Sequence, residues 1–474
     1  MSVFWSNWLG NHSANPHDVT SPHSVREVVD AVGMARARRQ RVRVLGAGFS
    51  WSPLVPLDGY FISTKNLRGV QNIDLPRHRI TVEAGMLLAD LVDVAARNGM
   101  SVKSPAMFLG LSVGGLIATG SHGTGRNVAT FGDAVVAFEL VTAAGEVLHV
   151  SEPGSDLWRA VITNLGTLGV LTSVTLQCEP LYNVHEFHIR VHISETASLL
   201  PKMLDEYEFV SLFWYPSSSL AIFKVGNRTG LPAIQVKGRR RPTLKDKAGG
   251  WFGRFLPEIV SRAPFLSDLV GATLNSGVGT GTQVVSEPDF SHYQQVYPRV
   301  ISSEFAIPVE HAPDAWTWLY SRLMQYWAAG VKPVNLVAHA RFSGASQAFL
   351  ASAAGRATCH LEALCFKGNR QRGVFQREFH QKMHGTFHGR AHWGKEIANH
   401  WQAARGYGEN LDRFLDIRHE LDPEQRFLNP FLRDEVFGIG RRFVTRRRAQ
   451  GEAEIPTNGV QAPTPTSGVK STSA

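Results

Sequence analysis

The sequence is poor in the features that mark secreted, membrane-spanning or metal-scaffolded proteins. It has three cysteines in 474 residues, Cys178, Cys359 and Cys365, and no two of them have C-x-x-C spacing. So small and odd a number argues against a disulfide framework and fits a reducing compartment. The first ten residues lack a charged stretch followed by an apolar run, so no secretory signal is expected. No segment approaches the roughly 18 apolar residues that a membrane-crossing helix needs. The expectation is a soluble, cytoplasmic protein with no metal centre. Charged residues are only 19% of the chain and hydrophobic ones 43%, enough to bury more than one core.

What charge there is leans basic, with a net +9 and five arginines within residues 441–448. Residues 237–241 form a second basic run. No zinc-finger spacing or RNA-binding aromatic pattern accompanies them, so nucleic acid is not an expected partner and membrane association is not predicted. Residues 237–256 read as a mobile loop. From about 451 onward the chain is Pro, Thr, Ser and Gly, which cannot bury enough surface to offset its ordering entropy, so 439–474 is expected to be a disordered tail.

Residues 17–182 alternate short strands and helices. A helical rhythm runs through 24–39 (Val25, Val28, Val29, Val32) and another through 87–98, closed by Gly99. Strands are predicted at 42–45, 80–83 and 169–177, with a hairpin from 135–142 to 147–150 and a helix at 156–163. The later part reads as a second α+β region, with strands at 209–215, 220–225, 303–308 and 334–342 and helices at 313–329 and 346–364. The expected division is 1–183, 184–438 with its last segment returning to the first domain, and the tail.

Seven of the 44 glycines fall in two loops. The first is Gly46-Ala47-Gly48-Phe49-Ser50, at the end of a strand. Such a turn lets backbone amides approach a phosphate closely. The full dinucleotide fingerprint needs glycine at 51, where Trp51 stands, and Pro53 and Pro56 forbid a following helix, so the NAD-binding fold is disfavoured. The second loop, 112–125, holds Gly114, Gly115, Gly120, Gly123 and Gly125 with Ser112, Thr119, His122 and Thr124 among them. It has few side chains to satisfy its backbone donors, and a long polyanionic ligand would do so.

The two loops, with Asn164-Leu165-Gly166-Thr167-Leu168-Gly169-Val170 and His392-Trp393-Gly394-Lys395, resemble the vanillyl-alcohol oxidase flavoprotein superfamily. Within it the chain is similar to the sugar-1,4-lactone oxidase branch of gulonolactone, arabinonolactone and alditol oxidases, from Asn7 to Pro430. The resemblance implies a two-part PCMH-type FAD domain followed by an α+β substrate domain. It implies that FAD lies against 46–50 and 114–124, with Gly169 and Val170 near its ribityl or ring portion. Many members link the flavin covalently to a histidine after the second glycine of the first loop. Phe49 occupies that place and has no nucleophilic atom, so FAD is expected to be non-covalent.

Flavin oxidation of an alcohol carbon needs a group to take the hydroxyl proton and a positive charge beside the flavin N1–C2 carbonyl. Lys395, with His392 in its motif, is the candidate for the charge. Arg341 and His339 share one face of a strand. The family often has Glu-x-Arg here, so His339 replaces a carboxylate and stands as a candidate proton acceptor. The resemblance places the Ser112 hydroxyl at the substrate or flavin and Leu111 where relatives gate oxygen, a bulky residue favouring a dehydrogenase. Glu304 reads as structural. The expected substrate is a sugar lactone or polyol, and the electron acceptor oxygen or a dye, cytochrome or quinone. Alternatives are a sugar-lipid epimerising or cytokinin-type oxidase on the same scaffold, a catalytically silent FAD-binding protein, or a basic surface-binding protein acting through 441–448.

Overall fold

The structure, a computed structural model, describes residues 3–232, 266, 283–286 and 299–439. The expectations about 237–256, about 441–448 and about most of the tail fall outside the described residues.

Ser24 starts the first helix, Val25–Ala37, by accepting a hydrogen bond from the Glu27 amide, and the helix buries Val28, Ala31, Val32 and Ala35. That i, i+3, i+4, i+7 spacing is one face of a helix. It packs over a three-stranded parallel sheet in the order Asp18–Thr20, Tyr60–Ser63, Val42–Leu45. Beside it lies a five-stranded antiparallel sheet in the order Val147–Val150, Val135–Val141, Val170–Gln177, Arg79–Glu83, Val70–Asp74. The predicted hairpin is its Val147–Val141 pairing. The glycine-rich run 112–125 contains a short helix, Val113–Ala118, where the sequence reading had only a loop.

From Asn183 the chain builds an eight-stranded sheet. Its order is Gln283–Ser286, Asn183–His192, Leu220–Thr229, Phe209–Trp214, Val337–Ser343, Thr358–Phe366, Val300–Pro308, Arg390–Ala391. Helices Thr196–Glu206, Ala312–Ala328 and Arg372–Gly385 accompany it. The predicted helix at 346–364 is a correction. Residues 346–357 are loop, and Thr358–Phe366 is a strand paired on both sides. The alanine-rich composition favours a helix locally, but two flanking strands offer a full set of backbone partners and override it.

The chain's last described part returns to its beginning. The Val42 amide donates to Arg426 O, and Asn429 Nδ2 donates to the carbonyls of Pro53, Leu54 and Pro56. Arg43, 2% exposed, donates to Leu165 O, Gly166 O and Phe427 O at 2.6–2.8 Å. One guanidinium thus ties together three distant segments. Among the described residues no helix is long and apolar enough to cross a membrane.

Candidate active site

The two glycine loops face each other across an open cleft of about 1000 Å³, solvent at its mouth included. Of the predicted cofactor residues, Gly46, Ala47, Gly48, Phe49, Ser50, Ser112, Gly114, Gly115, Thr119 and Gly169 line it. The loops touch through Ser112, whose Oγ accepts from the Ala47 amide at 3.3 Å. A Cβ on Gly46 would collide with that hydroxyl, so the close approach requires glycine. Gly48 has φ of +74°, a conformation that L side chains rarely adopt.

Gly120, His122, Gly123 and Thr124 do not line this cleft. Thr124 Oγ1 donates to Val210 O in the large sheet. A Cβ on Gly123 would stand 2.6 Å from Pro105 O. Val170 is buried in a core cluster with Val28 and Phe427, and its neighbours Gly169 and Leu171 face the cleft instead. Leu111 lines the cleft and is half-buried. The sequence reading missed Arg43 and Asn164, which also line it.

The cleft fits FAD on a property of its own walls. Among the described residues the amides of Gly48, Phe49, Ser50 and Gly115 find no protein acceptor. Donors left open on two facing loops suit the oxygens of a diphosphate. Phe49 packs against Phe108, with ring centroids 4.3 Å apart, and against Trp8 at 5.3 Å. It therefore forms part of an aromatic wall beside the first glycine loop.

A charge cluster adjoins the cleft. The first loop is fixed to the His392–Lys395 turn by a Trp51 amide bond to Gly394 O at 2.8 Å and by a hydrogen bond from Ser52 Oγ to Lys395 O. From that turn Lys395 reaches over the large sheet. Its Nζ lies 2.5 Å from Glu362 Oε1 and 3.7 Å from Glu304 Oε2, and 4.4 Å from the centre of the Trp51 ring. Sheet register explains the grouping, because His339 stands opposite Glu362 and Glu362 opposite Glu304 on adjacent strands. Arg341, two residues along from His339, meets Glu304 at 3.1 Å and Glu362 at 3.5 Å.

Glu304, read from sequence as structural, is the hub of this cluster. Burial would push its carboxyl up, but His122 and Arg341 together hold it well below the usual carboxylate range. His122 Nε2 lies 2.6 Å from Glu304 Oε1, and its ring stacks on His360 with centroids 3.4 Å apart. His360 meets Ser343 Oγ at 2.8 Å and is held well below the usual imidazole range, first by burial and then by His122. His392 is pushed down to about 3, mainly by burial, and accepts the Gly394 amide at Nδ1. Near neutral pH it is an uncharged ring that closes the His392–Lys395 turn. His122, Glu304 and His392 bring ligand atoms within 4.8 Å of one another. The cations of Arg341 and Lys395 on the same carboxylate oppose a divalent ion there.

Of the five predicted catalytic residues, the structure gathers Lys395, Arg341 and His339 around Glu362, sets His392 at the start of the Lys395 turn with its ring 5.8 Å from that of His122, and keeps Ser112 between the glycine loops. Glu362 was missed. Nothing in a linear reading marks it, since its significance lies in strand register.

Residues 174–435 match the D-arabinono-1,4-lactone oxidase family, and residues 16–151 match the FAD binding domain. The chain belongs to the D-arabinono-1,4-lactone oxidase family. It is 30% identical over 442 residues to L-gulono-1,4-lactone dehydrogenase of Mycobacterium tuberculosis, covering 91% of this chain and 99% of that one. It is 27% identical to alditol oxidase of a Streptomyces species, covering 92% and 100%, and 26% identical to L-gulonolactone oxidase of Scyliorhinus torazame, covering 92% and 99%. In fold it is similar to a solvent-stable cholesterol oxidase, with a TM-score of 0.75 at 18% identity, covering 91% and 97%. The cofactor of this family member is FAD, and the FAD-binding domain that the resemblance implied is present.

Proposed function

We propose that this protein oxidises a CH–OH group of a sugar-derived aldonolactone or alditol with FAD as the oxidant, in a cofactor domain of residues 1–183 and a substrate domain of 184–438. The single observation that carries the reading is the Lys395–Glu362–Arg341 cluster hydrogen-bonded through residues 51–52 to the cofactor loop. FAD supplies the electron-pair acceptor when bound. The chain's own residues supply the rest. Lys395 would supply a positive charge to the bound flavin, whose N1–C2 carbonyl region gains negative charge on reduction. Arg341 presents its fork to oxygens of the substrate, and Ser112 holds the junction of the two loops. His339 takes the hydroxyl proton. Phe49 leaves the cofactor held by contacts alone, and Leu111 restricts access to the ring, which favours a dye, cytochrome or quinone over oxygen as electron acceptor.

The test is a panel of aldonolactones and alditols presented anaerobically to the holoprotein, with bleaching of the flavin absorbance as the readout. Rapid bleaching by a member of the panel is expected, and Lys395→Met is expected to slow it by about 10²–10³-fold. No bleaching by any member would overturn the reading.

A further inference from the structure

We propose that Glu362 is the positioning residue for His339, and that the two form the pair through which the substrate hydroxyl loses its proton. The inference deepens the lactone and polyol reading above and rests on it.

Register fixes the pair. His339 lies directly opposite Phe213 on one neighbouring strand and directly opposite Glu362 on the other. Its ring stacks on Phe213 at 4.0 Å with an 18° interplanar angle, and its Nδ1 lies 3.9 Å from Glu362 Oε2. Both side chains are at most 4% exposed. The imidazole is thus held in plane by an aromatic face, with one nitrogen turned toward a carboxylate. At 3.9 Å the carboxylate is beyond hydrogen-bond distance and acts on the ring through its charge, which stabilises a proton that the imidazole takes up.

The two oxygens of Glu362 have separate tasks. Oε1 takes Lys395 Nζ at 2.5 Å and Ser302 Oγ at 2.6 Å. Oε2 is left toward Arg341 and His339. Among the described residues the ionisable groups clustered on this part of the sheet with His339 include Arg341 on its own strand, His360 and Glu362 on the next, Glu304 on the one beyond, and His392 and Lys395 on the adjoining turn. The Phe213 strand offers no ionisable group there. Arg341 and Lys395 disfavour a protonated imidazole, and the carboxylate nearest to it that favours one is Glu362.

The chemistry balances without a further reactant. The carbinol C–H bond breaks and its electron pair goes to the bound FAD, which is reduced. The O–H bond breaks and its proton goes to His339 Nε2. The substrate leaves as the carbonyl, and the imidazolium formed is stabilised by Glu362.

The experiment uses the holoprotein and two variants, Glu362→Gln and His339→Gln. The titration of the His339 ring is followed by NMR without substrate, its signal assigned by its loss in His339→Gln. The pH dependence of anaerobic flavin reduction is followed with the best substrate of the panel. Removing a negative charge beside the ring favours its neutral form, so Glu362→Gln is expected to lower both midpoints by about 1–3 pH units. His339→Gln is expected to abolish that ionisation from the rate profile. A Glu362→Gln enzyme that is slower but has both midpoints unmoved would show that Glu362 acts through Lys395 alone, overturning the proposal. A His339→Gln enzyme with an unchanged profile would overturn it as well. Should Glu362→Gln fail to fold, Glu362→Asp, which draws the charge away from the ring, is expected to lower both midpoints less, and no shift in it counts against the pair. Wild-type enzyme that no lactone or polyol reduces would sink the functional reading and the proton step with it, while the NMR titration would still decide the pairing.

Discussion

His122 and Glu304 are 182 positions apart in the chain, and their side chains meet at 2.6 Å with no more than 1% exposure on either. One belongs to the second glycine loop and the other to the large sheet, so this contact joins the cofactor-binding half to the half that carries Lys395 and Arg341. Glu304→Gln would leave Arg341 buried beside one carboxylate fewer and remove the partner of His122. Breaking a buried pair of this kind costs about 3–5 kcal/mol. The expected result is a clear fall in holoprotein melting temperature with loss of flavin reduction. A melting temperature within about 2 °C of wild type would contradict it.

Acid should destabilise the fold well before ordinary carboxylates titrate. His380 and His392 are pushed down to about 3 and His400 to about 4, in each case mainly by burial. Between these values and about 6.5, the unfolded chain binds protons that the folded one does not, so stability falls as pH falls. The lowered Glu304 carboxyl acts in the same direction below about 4.3, since its contribution is present above the unfolded value and lost as pH drops toward the folded one. His380 and His392 each add up to about 1.4 kcal/mol per pH unit within the window. The melting temperature is expected to drop steadily from pH 7 to pH 4. A flat profile down to pH 5 would show that these rings are not held neutral.

Arg43 is a stability and cofactor-retention determinant with no carboxylate among its hydrogen-bond partners. Burial lowers it to about 9, and its donors satisfy three carbonyls that have moved out of water. Arg43→Met would orphan them at about 1–3 kcal/mol each. Because Leu165 and Gly166 line the cleft, FAD should dissociate more readily as well. Thermal melting and fluorescence of released flavin measure the two effects, and unchanged flavin retention would refute the coupling.

With Phe49 at the position proposed to leave the flavin unlinked, non-covalent attachment is the expected outcome. Precipitating the holoprotein with acid should leave the yellow colour in the supernatant. Flavin remaining in the washed pellet would mean that some other side chain forms a covalent link.

Leu111 stands in the cleft wall with its carbonyl accepting the Leu88 amide. The reduced enzyme is expected to reoxidise slowly in air, and Leu111→Gly to reoxidise faster by opening a path to the ring. Fast reoxidation of the unmodified protein would remove the gating role.

Much was legible in the linear sequence. The glycine loops, the strand leading into Gly46, the hairpin at 135–150 and the helix of 25–37 follow from local rules of backbone freedom and apolar spacing. These act within a few residues and survive without knowledge of the rest of the chain. His339 and Arg341 were legible as a same-face pair for the same reason. The stretch 346–364 was not, because strands 15 or more residues earlier in the chain pair with both edges of its second half and outweigh its helical composition.

What the sequence by itself determined is where the two glycine loops and the His392–Lys395 turn lie in the chain, since glycine, serine and a short motif carry that information in place. Only the tertiary structure decided which carboxylates serve the site. Glu304 and Glu362 look ordinary in the chain, and they acquire their roles because antiparallel register sets them side by side beneath Lys395 and Arg341, where a buried cation must find an anion or pay the full cost of desolvation.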